Sequence, residues 1–173
     1  MKPATIYTFF MSLFTFISCT TIPQGVTAVS PFRVEKYLGK WYEVARFDHK
    51  FERGLINVTA VYTFNADGSI KVQNRGFNKE ANEWRESVGV AKFVGDTTVA
   101  KLKVSFFGPF YGGYNVIALD SDYQYALVSG PNHNYLWILS RHKTITADIK
   151  NKYLKIAEDM GFEVSNLLWV EQN

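Results

Sequence analysis

The chain has 173 residues, of which 47% are hydrophobic and 16% aromatic, with a formal net charge of +3. That length bounds it to one domain, and the composition to a globular chain with a ring-rich interior. The charge is near balance, and no basic cluster interleaved with rings marks a nucleic-acid surface.

In chain order, the first segment reads as an export signal. Lys2 supplies a basic start, and the run "IYTFFMSLFTFI" from Ile6 to Ile17 carries no charge. About twelve apolar-rich residues suit a signal-peptide core and fall short of a bilayer-spanning helix. The segment ends in "FISC", and Cys19 is the sole cysteine. A small residue before a lone cysteine, directly after an export segment, resembles a bacterial lipobox, with Phe16 where leucine is usual. That resemblance implies diacylation of Cys19, cleavage before it and acylation of its new amino group. The alternative is an unmodified signal peptide cut near Ser18. With Cys19 lipidated, the domain has neither free thiol nor disulfide and relies on its core alone.

Residues 20–31, "TTIPQGVTAVSP", are small, polar and broken by Pro23, Gly25 and Pro31, and read as a tether. From Tyr37 onward, β-rich runs alternate with turn signals, which predicts a sandwich or barrel rather than βαβ units. Eight strands are expected, over 40–47, 57–65, 69–77, 84–93, 98–107, 113–120, 123–130 and 134–142. After Arg141, "TADIKNKYLKIAEDMG" places Ile149, Tyr153, Ile156, Ala157 and Met160 on one helical face. Thr146 can cap that helix and Gly161 stands where it would stop. The final apolar run "NLLWV" suits a short returning strand.

Three blocks carry a family resemblance. "LGKWYEVARF" at 38–47 holds Gly39, Lys40 and Trp41 in the G-x-W pattern that opens the lipocalin fold. "ALDSDYQYALV" resembles the second lipocalin block through Asp120 and Tyr123, and "WILSRH" the third through Arg141. The stretches "VARFDHKFERGL" and "KVSFFGPFYGGYNVIALD" resemble the bacterial outer-membrane lipoprotein branch, close to apolipoprotein D in the superfamily. The implied fold is all-β, an eight-stranded antiparallel up-and-down barrel with a C-terminal α-helix packed outside. The implied organisation is a signal peptide at 1–18, a lipidated N-terminus and tether at 19–31, and the barrel domain at 32–173.

Up-and-down topology then sorts the residues. Trp41 begins the first strand and Arg141 ends the last, so the two are expected to meet and plug one end. The connectors after strands one, three, five and seven lie at the other, open end. "FFGPFYGGY", with five rings and three glycines in nine residues, turns there, its rings lining the entrance. The expected mouth set is Phe47, His49, Lys50, Phe51, Arg53, Leu55, Phe110 and Tyr111. His49, Lys50 and Arg53 can meet a phosphate or carboxylate; singly, each also reads as part of a solvated charged loop. The rings also read as closing a small core beneath long loops.

Period-two alternation phased from Arg141 turns Tyr135, Trp137 and Leu139 inward. Phasing the other strands by the resemblance adds Tyr62, Phe64, Val72, Asn74, Leu102, Val104, Phe106, Tyr114 and Val116. Such a wall, apolar with a few hydroxyls and one amide, suits an acyl chain with a polar end; a packed, ligand-free core is the other reading. No metal site, cofactor site or enzyme motif is expected, because the three histidines lack ligand spacing and no nucleophile is marked. The expectation is a carrier of fatty acids or lysophospholipids. It is expected at the outer membrane, lipid-anchored and facing the periplasm, because Thr20 rather than aspartate follows Cys19. Two rivals stand beside it. One is carriage of another hydrophobic ligand (haem, pigment or sterol-like compound); the other is an interaction protein whose apolar rim forms a homodimer or docks a partner.

Overall fold

The computed structural model describes residues 22–173. Cys19 and the export segment lie outside them. Alternating apolar and polar residues form β1 (Gly39–Arg46), β2 (Leu55–Phe64), β3 (Ile70–Asn78) and β4 (Glu83–Phe93). β5 (Lys101–Phe107), β6 (Phe110–Leu119), β7 (Tyr125–Ser129) and β8 (Leu136–Ser140) follow. Each strand pairs antiparallel with the next, and β1 pairs with both β2 and β8. The sheet therefore closes into the eight-stranded up-and-down barrel, which leaves no long open edge. The "GPFYGG" connector is tighter than expected. β6 begins at Phe110, so only Gly108 and Pro109 separate the strands, and Phe110 and Tyr111 belong to a hairpin arm.

β1 and β2 part company after Tyr42↔Thr59. The C-terminal run fills the opening: β9 (Leu168–Trp169) pairs with Ala45 and Arg46. Beyond it, the Asn57 N–H donates to Glu171 O at 2.8 Å, and the Gln172 amide donates to Glu43 O and Val58 O at 2.8 and 2.9 Å. The helix α2 (Ala147–Asp159) packs outside the barrel, with Tyr153 and Ala157 buried against Leu127, Leu136 and Ile138. Thr146 accepts from the Ile149 N–H at its start, and Gly161, at φ +85°, supplies the left-handed residue after its end. Two cores result, one inside the barrel and one between barrel and helix.

The tether expectation fails from residue 22 onward. Val26 and Ala28 are buried, and Val29 bridges two strands, donating to Val116 O at 2.8 Å and accepting from the Ala100 N–H at 2.9 Å. Burying those side chains and pairing that backbone outweighs the freedom of a loose linker. The segment leads into α1 (Val34–Tyr37), too short to show any helical period in sequence. Phe32, Val34 and Tyr37 from this stretch enter the barrel core from below.

Arg141 fixes that closure. Its guanidinium lies 3.9 Å from the centre of the Trp41 ring. Its nitrogens donate to the carbonyls of Lys40 (2.7 Å), Lys36 (2.9 Å), Leu38 (2.8 Å) and Tyr37 (3.2 Å). Those of Lys36, Tyr37 and Leu38 are carbonyls that a helix end leaves unpaired, where a cation is favourable; that of Lys40 belongs to β1. Trp41 donates its indole N–H to Tyr37 O at 2.8 Å, so ring, helix end and last strand form one unit. Trp41→Ala is expected to lower unfolding free energy by about 3–5 kcal/mol in urea titration, as for a fully buried aromatic. An unchanged midpoint would contradict the plug.

Candidate functional site

The barrel interior is divided along its length. At the floor, Phe32, Val34, Tyr37 and Leu38 face Tyr62, Ile70, Val72, Ala91, Leu102 and Tyr114. The space left between them, about 10 Å³ for the centre of a water molecule, holds one water at most. A hydroxyl chain crosses this level: Tyr114 Oη lies 2.7 Å from Tyr37 Oη and 2.8 Å from Tyr62 Oη. Burial pushes all three phenols well above their ordinary range, so the chain stays uncharged. Above this level Val104 and Trp137 pack on the inner core yet remain only partly covered, and so does Asn74. The Asn74 Oδ1 is buried without a partner among the described residues.

One side of this upper lumen is polar and was not foreseen. β1 carries a bulge between Glu43 and Ala45, which resets the side-chain alternation. Trp41 and Glu43 face inward; Val44, Ala45 and Phe47 join the outer core; Arg46 falls back on the same side as Glu43. Arg46 donates to Glu43 Oε1 at 2.6 Å and to the carbonyls of Glu52 and Leu55 at 2.7 and 3.1 Å. Glu52 in turn accepts from Trp137 Nε1 at 3.1 Å. Glu43, Arg46 and Glu52 are all buried. Burial first, then the Glu52 carboxylate, pushes Glu43 up to about 8, against the pull of Arg46. Burial likewise raises Glu52. A proton shared between them leaves two carboxyl groups and one guanidinium with no net charge. The legible signal was an acid at an inward position two residues after Trp41; the bulge concealed its partner.

Several expected site residues lie elsewhere than placed. Phe47 is not at the mouth: the bulge turns it outward, where its ring lies 6.4 Å from Phe162. His49 does not sit in a solvated loop. It is buried in a stack, 4.6 Å from Tyr135 and 5.3 Å from Phe51, and tilted against Trp137. Burial, then Arg46, lowers its pKa and holds it neutral. Tyr135 also presses on Gly130, where a Cβ would meet the Tyr135 Cβ at 2.4 Å. Phe64 ends β2 two residues past Tyr62, which pairs with Gly39; it lies at the floor end, half exposed, outside the enclosed wall. Phe106 is a rim residue, its ring so close over Gly89 that a Cβ there would lie 2.8 Å away. Leu55 is half-buried against Gly76. Lys50 is exposed, and Arg53 pairs with Asp48 at 2.5 Å in solvent. Tyr62, Val72, Leu102, Val116 and Leu139 belong to the inner core, with Val104, Tyr114 and Trp137 against it. Phe51, Phe107 and Phe110 stand out at the open end, at 65%, 83% and 77% exposure. Trp84 and Val88, on the projecting part of β4, are exposed there too.

A closed eight-stranded barrel with one end plugged and an inner core lined by apolar side chains is the architecture of a small-ligand binder. Residues 32–172 match the family described as lipocalin-like domain. The chain is 55% identical over 161 residues to outer membrane lipoprotein Blc of Citrobacter freundii, covering 92% of this chain and 91% of that protein. It is 54% identical to the Escherichia coli K12 protein of that name, at the same coverage. Mouse apolipoprotein D is more distant, at 28% over 82% of this chain and 77% of its own. Among solved structures, the cockroach allergen Per a 4 superposes with a TM-score of 0.68 at 22% identity, over 88% of this chain and 96% of its own. The chain belongs to the lipocalin family.

The buried acids set a stability trend. A carboxyl raised in the fold contributes stability that is complete below its unfolded value and is lost as pH rises through the folded one. From pH 7 to about 8, above the ordinary histidine range, the melting temperature is expected to fall, and it should level off once Glu43 has ionised in the fold as well. Glu43→Gln, which cannot ionise, should flatten that fall. Identical slopes in thermal melts of both proteins would contradict the assignment.

Proposed function

We propose that the protein carries single-chain lipids, fatty acids or lysophospholipids, with the acyl chain in the upper lumen and its head toward the mouth. The supporting observation is an inner wall where Val104 and Trp137 stay partly uncovered above a filled floor, with the buried Asn74 carbonyl left without a partner among the described residues. Each CH₂ moved from water contributes about 0.8 kcal/mol, so a chain of about sixteen carbons has ample gross drive. Ordering and association costs leave micromolar binding. A head that carries a hydroxyl or ammonium donor would also pair the Asn74 carbonyl, which costs about 1–3 kcal/mol while it is buried unpaired.

In this reading the barrel works at the outer membrane and faces the periplasm, held by acylated Cys19. The relatives named as outer membrane lipoproteins support it. Because the body packs from residue 22, the span from Cys19 is at most about 10 Å. A second reading, a mouth-to-mouth homodimer, draws on the exposed Phe107 and Phe110.

Lipids extracted from the purified protein should show single-chain species by mass spectrometry. Val104→Trp, which fills the lumen, should abolish their recovery while the far-ultraviolet spectrum stays native. Recovery undiminished in a folded Val104→Trp protein would refute lumenal carriage. The double change Phe110→Ser/Tyr111→Ser tests the dimer: loss of a sedimenting dimer with binding intact supports the rim contact, and unchanged mass excludes it.

Cys19→Ser should move the protein into the soluble fraction, because several acyl chains hold firmly and none remains. Tight association with membranes after mild washing would contradict the anchor.

A further inference from the structure

We infer that Glu43, Arg46 and Glu52 form a charge filter in the lumen wall, admitting a carboxylate-headed acyl chain only while the two glutamates share a proton. This rests on the carriage reading above and adds which head is accepted, and when.

The cluster borders the lumen rather than the outer core. Glu52 accepts from Trp137, whose ring packs on the inner core, and Tyr62 of the inner core feels both carboxyl groups. Its polar capacity is not exhausted internally: Arg46 Nε and, beside it, His49 Nε2 are buried without partners among the described residues. Two unused polar positions next to a lumen suit the head of a ligand better than a sealed structural ion pair.

The surrounding charges decide the sign. β1 supplies Glu43 and Arg46, and the first connector supplies Glu52, His49 and, at the surface, Asp48. β2 supplies Tyr62, behind which stand Tyr37, Tyr114 and Arg141. Trp137 comes from β8, and the Gln172 amide reaches only the Glu43 backbone carbonyl. The phenols are neutral and His49 is neutral, so among the described residues Arg46 is the one cation in direct contact with the acids. While Glu43 keeps its proton, the cluster is neutral and a ligand carboxylate meets the unspent Arg46 Nε–H. Once that proton is lost, two carboxylates face one guanidinium, and a third carboxylate is repelled in a site that screens charge poorly. Binding an anion above that point requires taking a proton from solvent. A head whose own charge does not change with pH, and which carries a cation, meets no such barrier.

The test uses the Cys19→Ser protein, which retains every barrel residue, with dodecanoate and lysophosphatidylcholine as probes. Neither probe changes charge between pH 6.5 and about 9.5. Calorimetry in two buffers of different ionisation heat gives affinity and proton count together. Dodecanoate affinity should hold to about pH 7.5 and then fall toward tenfold per unit above the Glu43 midpoint near 8, with about one proton taken up per ligand at pH 9. Lysophosphatidylcholine affinity should stay level, and Glu43→Gln should level the dodecanoate profile. Should that variant fail to fold, the proton count on the parent decides. Parallel profiles for the two probes, no proton uptake, or the slope persisting in Glu43→Gln would overturn the filter alone. Failure of both probes to bind at any pH would overturn lipid carriage, and the filter with it.

Discussion

The contact between Arg141 and Trp41 is the constraint on which the rest depends. A barrel of eight strands has two open ends, and a core exposed at both would be a pipe. The guanidinium covers the indole and satisfies three carbonyls at the end of α1 and one in β1, so one cation joins the first strand, the last strand and the N-terminal segment. Because that segment is held, Phe32, Val34 and Tyr37 stay under the barrel, and the floor becomes core. Only the other end remains for entry. The C-terminal residues contribute similarly at the side, covering the gap where β1 and β2 separate.

Within this frame, polarity rises from floor to mouth. The floor is apolar apart from a chain of neutral phenols that crosses it, and the wall above carries an acid pair, a guanidinium and an amide. Such a gradient matches an amphiphile entering tail first. It also separates two jobs that a small domain otherwise confuses, since the residues that hold the fold are not those left open to a ligand. The histidine stack on Tyr135 and Phe51 links the two, making the first connector part of the wall instead of a loose loop.

Most of the fold was legible because each strand alternates at period two and each turn is marked by glycine, proline, asparagine or aspartate. The plug was legible for the same reason: strand count alone places Trp41 and Arg141 at one end. The inner positions of β8 could be read straight from alternation phased at Arg141, whereas those of β3 and β5 took their phase from the family resemblance. Phe47 could not, because the bulge in β1 advances the alternation by one residue, and nothing in "WYEVARF" marks where the extra residue sits. The same bulge hid the pairing of Arg46 with Glu43. Alternation also says nothing about where a wall stops, which is why Phe64 and Phe106 were placed too deep. The packed segment before α1 was missed because its pairing partners, Val116 and Ala100, are distant in sequence, and local composition suggested a linker.

The central claim is that the lumen above the tyrosines is the binding site. The most direct measurement is photolabelling with a fatty acid carrying a diazirine near its methyl end, followed by mapping of the modified residues. The account predicts adducts on Val104 and Trp137, and their loss when unlabelled fatty acid competes. Adducts confined to Phe51, Phe107 and Phe110 at the rim, or to the outer surface around Phe47 and Phe162, would contradict it.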